Sequence, residues 1–464
     1  MKVSKVGRGV VLGLFLLGGP VAARAQPLPD PGSADPGPAD PGAAESAPGD
    51  PDGEPSFVLP TPPPTMDELN ERLRRTEGIL SNRPSVTWHG YVDFGFFAPQ
   101  SNGAGYVQDF GHQHFPEFAG RYGWVFMGDI LATAVNGRGE PADLGDAPGV
   151  DRFDSVNSRG APGFILNEAN FTVDTPVART AFLSVSFNLV PRTGNEFRLG
   201  DVFDLDVGQL EWLPTESQRT SVFVGKIESV LGIEYRDRKA NKRFGVTPSL
   251  LARYTTGTAL GVKVRSKFGA EDWLVLAAAV TNGSNTVETF HFYNEVDSNA
   301  GKTLSARISA RLPVPGWLEI GASGSRGAQD RALNNAGAMW FGGVDLLGHF
   351  DRLDIKAQWL QGGAPGNETD GVYGLDLHNG GYLEIDTMVT ASLGLLGRAE
   401  FRDALVWLGS ERAYVTKSWR GTLGARWVFN DRAVLRAEYL RNGEYGGIAG
   451  IRNDIFTSSL VLSY

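Results

Sequence analysis

The sequence predicts an all-β protein, a transmembrane antiparallel β-barrel of about sixteen strands preceded by a short helix. Three observations carry this. From Val86 onward, segments of about ten residues alternate apolar and polar side chains, the pattern of strands with two unlike faces. The gaps between those segments alternate short and long, as in barrels that cross a membrane. A leader-like start is followed by no apolar run near the roughly 18 residues that a spanning helix requires; the longest, Trp273 to Val280, is under half of that. A chain that enters a membrane without such helices must form a closed barrel, because only helices and closed barrels satisfy every backbone group in lipid.

Residues 1–25 read as a signal peptide. Lys2, Lys5 and Arg8 precede an apolar stretch from Val10 to about Val21, and Ala23-Arg24-Ala25 offers a small-x-small cleavage site before Gln26. An uncleaved amphipathic anchor is the other reading. Residues 26–64 hold 13 of the 27 prolines, seven acids and no base, so this segment is expected to be a disordered linker with almost nothing apolar to bury. In 65–81, Met66, Leu69, Leu73, Thr76 and Leu80 are spaced 3, 4, 3, 4. That is the a/d seam of a short helix or coiled coil, with Thr65 as N-cap and Asp67 and Glu68 in the first turn. The seam serves either self-association or packing of a single amphipathic helix.

The barrel occupies 86–464, with strands expected at 86–97, 164–174, 180–190, 202–212, 220–228, 259–268, 272–281, 302–312, 316–326, 338–350, 352–361, 382–391, 395–408, 419–429, 433–442 and 455–464. Leu183, Val185 and Phe187 against Ser184 and Ser186 show the alternation, as do Leu304, Ala306 and Ile308 against Arg307 and Ser309. A soluble sandwich would alternate too. The connections separate the two, because short gaps follow every even strand and long ones, among them 98–163, 229–258, 362–381 and 409–418, follow every odd strand. A sandwich has no reason to keep that parity. Gly120 to Val135 is expected inside the first long loop, and a strand pair there, giving eighteen, is the competitor. Trp88, Trp273, Trp317, Trp359, Trp407 and Trp427 fall near strand ends or on the apolar parity, as aromatic girdles require.

Composition narrows the function. Without cysteine there is no disulfide framework. The formal charge of −10 becomes about −14 once the leader's four bases are removed, which excludes the basic footprint of a general nucleic-acid binder. The six histidines include only His112 and His114 as a close pair, too few for a metal site. No G-x-S-x-G elbow is present, and His89 with Asp93 on one strand face reads as lining. No enzyme activity, cofactor or metal is expected. A barrel of sixteen strands leaves an aqueous interior, so the polar parity lines it, with Lys263, Arg265, Lys267, Arg307, Arg311, Arg398, Arg402 and Arg426 among the bases. The third long loop, 229–258, adds Arg236, Arg238, Lys239, Lys242, Arg243 and Arg253. Basic rings favour anions.

The layout of leader, heptad, sixteen alternating strands and a terminal aromatic resembles Gram-negative outer-membrane porins. It is similar in particular to the sixteen-stranded type with an N-terminal periplasmic coiled-coil segment, such as phosphate-selective and dicarboxylate-type porins. The resemblance implies a water-filled channel in the outer membrane for passive diffusion of small hydrophilic solutes, with the linker and helix in the periplasm. It implies a homotrimer and contact with lipid and lipopolysaccharide. It also implies that Phe456, Leu460, Leu462 and Tyr464 are read by the barrel-assembly machinery. In such porins the third loop often enters the lumen; here its alternative is to stay outside. A structural or adhesion barrel with little conductance is the reading from a different class.

Overall fold

The computed structural model describes residues 86–99, 162–189, 203–215, 217–228, 230–282, 293–294, 300–328, 338–365, 374–408, 411–443 and 454–464. The expected signal peptide, linker and heptad helix, and the segment Gly120 to Val135, lie outside these. Sixteen strands form the wall: β1 Thr87–Pro99, β2 Gly163–Ala178, β3 Ala181–Leu189, β4 Phe203–Trp212, β5 Thr220–Glu228, β6 Thr258–Phe268, β7 Leu274–Thr281, β8 Thr303–Leu312, β9 Trp317–Ala328, β10 Ala338–Phe350, β11 Leu353–Ala364, β12 Gly374–Met388, β13 Leu393–Leu408, β14 Glu411–Asn430, β15 Ala433–Gly443 and β16 Ile455–Ser463. Each pairs antiparallel with its sequence neighbour. A two-residue strand, Tyr293–Asn294, lies parallel to the start of β6 and adds nothing to the wall.

The ring closes between β1 and β16, in register from Tyr91 opposite Ser463 to Pro99 opposite Ile455. Tyr464 N–H donates to the Gly90 carbonyl at 3.1 Å, and Gly90 N–H to the Tyr464 carbonyl at 3.4 Å. β1 pairs directly with β2 on its other side, so the barrel is complete at sixteen strands and no eighteenth fits. Closure leaves no sheet edge with unpaired N–H and C=O groups.

The polarity of the molecule is inverted. Outward side chains are large and apolar, with Leu423 at 72% exposure, Trp88 and Phe429 at 58% and Trp427 at 52%. Inward side chains are charged, and Arg402, Arg420 and Arg436 are each only 1% exposed. Soluble monomers rarely carry contiguous apolar patches beyond a few hundred Å²; here the apolar surface runs round the ring. The arrangement suits hydrocarbon outside and water or protein inside. Trp88, Trp212, Trp273, Trp427 and Tyr464 lie exposed close to the short-turn ends of their strands. Phe456, Leu462 and Tyr464 are exposed on the outer face, and Leu460 shares their parity.

Two long connections differ from expectation, and the short gap 175–179 shortens because β2 runs on to Ala178. β13 and β14 run on to Leu408 and Glu411, so 409–418 is mostly strand; beyond an apolar band the alternation that marks a strand disappears while backbone pairing continues. β12 begins at Gly374 rather than near 382. One of its glycines serves a close approach: a Cβ on Gly380 would stand 2.5 Å from Leu251 Cδ2 of the third loop. A register shift between Leu377 and Asn379 accommodates the irregular stretch.

The outer face sets a measurable cost. Leu423→Arg should destabilise the barrel by about 2–4 kcal/mol if its site is near the hydrocarbon midplane, read by reversible guanidinium unfolding in phospholipid vesicles.

Candidate functional site

Between β5 and β6 the chain folds into the lumen and bonds to much of the ring. It has little regular structure, with one 3-10 turn at Glu234–Arg236 and one helical turn at Ala252–Thr255. Backbone groups without a ladder need other partners, and the wall supplies them. Gly232 N–H donates to Ser323 Oγ on β9 at 2.9 Å, and Ile233 N–H to Gln358 Oε1 on β11 at 3.1 Å. Gly232 has φ +71°, a left-handed conformation that glycine adopts freely, and a Cβ there would come within 2.6 Å of the Gln358 amide.

The same tripeptide, Arg-Ala-Glu, occurs on β13 (398–400) and on β15 (436–438). Residues two apart on a strand share a face, so each tripeptide aims a donor and an acceptor into the lumen together. Arg436 Nη1 donates to the carbonyls of Ala240 (2.8 Å), Arg243 (3.2 Å) and Gly245 (2.6 Å). Glu438 accepts from Val246 N–H at 2.6 Å and from Thr247 N–H and Oγ1 at 3.0 and 2.7 Å. Arg398 donates to the Thr247 and Pro248 carbonyls at 3.0 and 3.1 Å, while Glu400 accepts from Leu250 N–H at 2.6 Å. The two pairs clamp the 240–250 backbone from adjacent parts of the wall. Apolar contact adds to this. Leu250, Leu251, Val246 and Tyr254 are buried at 0–4% exposure, as are Leu360, Leu377, Leu396 and Leu440 on the wall. The rings of Tyr254 and Phe341 are 5.5 Å apart.

The basic residues of the loop reach the opposite side. Arg236 is bidentate on Glu319 at 2.8 and 3.3 Å. Arg238 is bidentate on Asp206 and lies 3.4 Å from Glu228. Lys239 donates to Ser186 Oγ at 2.9 Å and stands 3.8 Å from Asp206. Wall and loop also exchange roles, since Lys356 on β11 holds Asp237 at 2.7 Å along with Glu384 at 3.1 Å. Arg243 is buried beside Arg436, Lys242 is exposed, and Arg253 belongs to the helical turn. Burial lowers the pKa of the Lys239 ammonium, with Arg238 and Lys242 adding to the effect against Asp206.

The predicted wall bases divide into two groups. Lys263, Arg265 and Lys267 on β6 and Arg307 and Arg311 on β8 flank β7, whose inward residues Val275, Ala277 and Ala279 carry no charge. Arg265, Ala277 and Arg307 stand in one cross-strand row. Arg265 lies 3.6 Å from Glu211 and Lys267 3.7 Å from Asp272. Arg307 holds Glu319 and Asp345 at 3.1 and 2.5 Å, and Arg311 stacks over Trp317 at 5.4 Å. In the second group, Arg398 serves as a clamp, Arg426 lies over the Phe244 ring at 5.3 Å, and Arg402 is buried in the wall. His89 lies 3.5 Å from Asp174. No group of three metal-ligating side chains occurs among the described residues. The clamping role of the two tripeptides was not legible as such; their repetition on the polar parity was the available signal.

No family model and no curated protein matches this chain. Among solved structures, the barrel is similar to the outer membrane channel DcaP of Acinetobacter baumannii, with 10% identity, 82% of this chain and 97% of that one covered, and a TM-score of 0.48. It is also similar to the trimer form of OmpT from Vibrio cholerae (10%, 82% and 100%, 0.46) and to an anion-selective porin from Comamonas acidovorans (11%, 82% and 99%, 0.44).

Two outcomes follow from the loop's attachments. Removing one member of a buried charged network costs several kcal/mol, about 3–5 for a pair, so Arg436→Ala and Glu438→Ala should each free 240–247. Larger, noisier single-channel currents are expected, with Arg436→Lys a partial rescue because an ammonium cannot match the guanidinium fork. Burial raises the Glu234 carboxyl to about 7, against the hydrogen bonds from Ser249 N–H and Oγ at 3.0 and 2.7 Å. The docked loop then holds a proton that a solvated Glu234 releases nearer 4.5, so docking is firmest at acid pH and weakens as pH rises through about 7. Current fluctuations should increase between acidic and alkaline buffers, and Glu234→Gln should flatten that dependence.

Proposed function

We propose that this protein is an outer-membrane channel for passive diffusion of small hydrophilic solutes, with a preference for anions. The observation that carries the channel reading is the inverted barrel, in which exposed apolar side chains ring the outside and charged ones line the inside. Such a body is stable only with oil around it, and its short turns on one rim and long loops on the other match outer-membrane topology. The preference for anions is supported by Lys263, Arg265 and Lys267 of β6 and Arg311 of β8 across the neutral lumen face of β7, while Arg307 between them is paired with Glu319 and Asp345. Field lines from clustered charge converge in a low-dielectric passage and raise the local concentration of opposite ions. The clamped loop narrows the passage, and its own bases Arg236 and Arg238 are largely neutralised by Glu319 and Asp206. Selectivity therefore rests more on the β6–β8 wall than on the loop. The reading includes no catalytic step. It includes a homotrimer, supported by the heptad of 65–81.

The filled lumen favours one alternative, a structural barrel with little conductance. Planar-bilayer recording of the purified protein separates the two, since discrete conductance steps are expected and their complete absence would favour the structural body. In a salt gradient the reversal potential should have the sign of anion preference. Replacing Lys263, Arg265 and Lys267 together with glutamine should move it towards cations by more than replacing Arg236 and Arg238; a reversal potential unchanged by the β6 triple substitution would remove that wall from the selectivity mechanism.

A further inference from the structure

Channel interiors are polar, yet one face of this lumen is not. Three consecutive cross-strand rows run Lys263–Ala279–Ser305, Arg265–Ala277–Arg307 and Lys267–Val275–Ser309, so β7 presents Val275, Ala277 and Ala279 between charged and hydroxyl neighbours. Ala279 packs with Phe223, Ile227 and Val230 in one buried cluster, and Ala277 lies against it. Val275 and Ala277 keep part of their surface open. Together they form a short apolar floor facing the passage.

The bases beside this floor rest on aromatic rings. The Arg265 guanidinium lies 5.3 Å from the Phe223 centroid and Lys263 Nζ 4.7 Å from the same centroid, while Arg311 lies 5.4 Å from that of Trp317. An aromatic support restricts a guanidinium, whose fork matches a carboxylate. Arg265 keeps 31% of its side chain exposed, against 17% for Lys267. Across the floor Arg307 is bound to Glu319 and Asp345, and Lys263 donates to the Glu228 carbonyl at 3.3 Å. Of these side chains, Arg265 is therefore the one placed to meet a solute.

We propose that this face binds organic carboxylates with a short apolar body, the carboxylate on Arg265 and the body on Val275 and Ala277. The site rests on the anion-channel reading above and deepens it by naming the solute class. Charge beside methyl groups selects the occupant. An inorganic anion loses hydration against an apolar floor and gains nothing from it, and a neutral apolar solute gains nothing from a guanidinium. A solute with both parts is matched by both. The step of about 4.8 Å from β6 to β7 is the length of a short alkyl chain.

The test is block of single-channel chloride current by acetate, butyrate, hexanoate, n-hexanol and inorganic phosphate. Affinity should rise about twofold for each added CH2 from acetate to hexanoate, half the effect of full burial because one side of the chain stays in water. n-Hexanol should not block. Arg265→Gln should lower hexanoate affinity about tenfold, the scale of one charge-assisted pair. Val275→Ser with Ala277→Ser should remove the gradient, so that acetate and hexanoate block alike. Equal block by acetate and hexanoate in the unaltered protein would overturn the proposal, as would a gradient that survives the double serine variant. Phosphate blocking more tightly than hexanoate would assign the face to inorganic oxyanions instead. Absence of any current would fail the channel reading and not the site. The site is then read by calorimetric titration of hexanoate into the detergent-solubilised protein and into Arg265→Gln, where equal binding to the two overturns it.

Discussion

Pairing of the first strand with the last is the constraint on which the rest of this structure depends. In hydrocarbon an unpaired backbone group costs several kcal/mol, so a sheet is tolerated there only when it has no edge. The register from Tyr91–Ser463 to Pro99–Ile455 removes both edges at once, and Tyr464 extends it by two further backbone bonds with Gly90. Antiparallel closure requires an even number of strands. Even parity in turn puts all short turns on one rim and all long connections on the other, which is how a single backbone requirement gives the molecule two different ends.

Closure also creates an interior too wide for side chains to fill, and the third long loop uses it. Its irregular backbone would be intolerable against lipid, but inside the ring it meets a wall of polar residues. The two Arg-Ala-Glu tripeptides satisfy its carbonyls and amides, and the leucines near 250 bury against an apolar strip of the lumen wall. One side of the loop is thus held by backbone-directed hydrogen bonds and packing, the other by side-chain ion pairs to Glu319 and Asp206. The two attachments differ in kind: the first sets ionic side chains against backbone groups and packs leucines on the wall, the second pairs side-chain charges of loop and wall.

Charge in the lumen is consequently not a sum over basic residues. Arg236, Arg238 and Lys356 are bound into pairs with carboxylates of the opposing element, and a passing ion meets their residual dipole more than their full charge. The bases of β6 and β8 have partners as well, but they face one another across a strand with no charged inward side chain. Position in the ring, not number, separates these groups.

Period-two alternation and the parity of gap lengths determined that the chain from Val86 makes a closed barrel and which side chains face out, because both follow from local chemistry and from the even count that closure demands. Where alternation fails, as in 374–381 and 409–418, local reasoning misplaced the strand ends. Polar extensions outside the apolar band carry no contrast, and Gly380 makes room for Leu251. The loop's destination was decided by tertiary structure alone. Its partners Glu319, Gln358, Glu400 and Glu438 lie 83 to 192 residues away in sequence. Such distances are closed only when the ring brings those strands face to face, so no window of sequence contains the information.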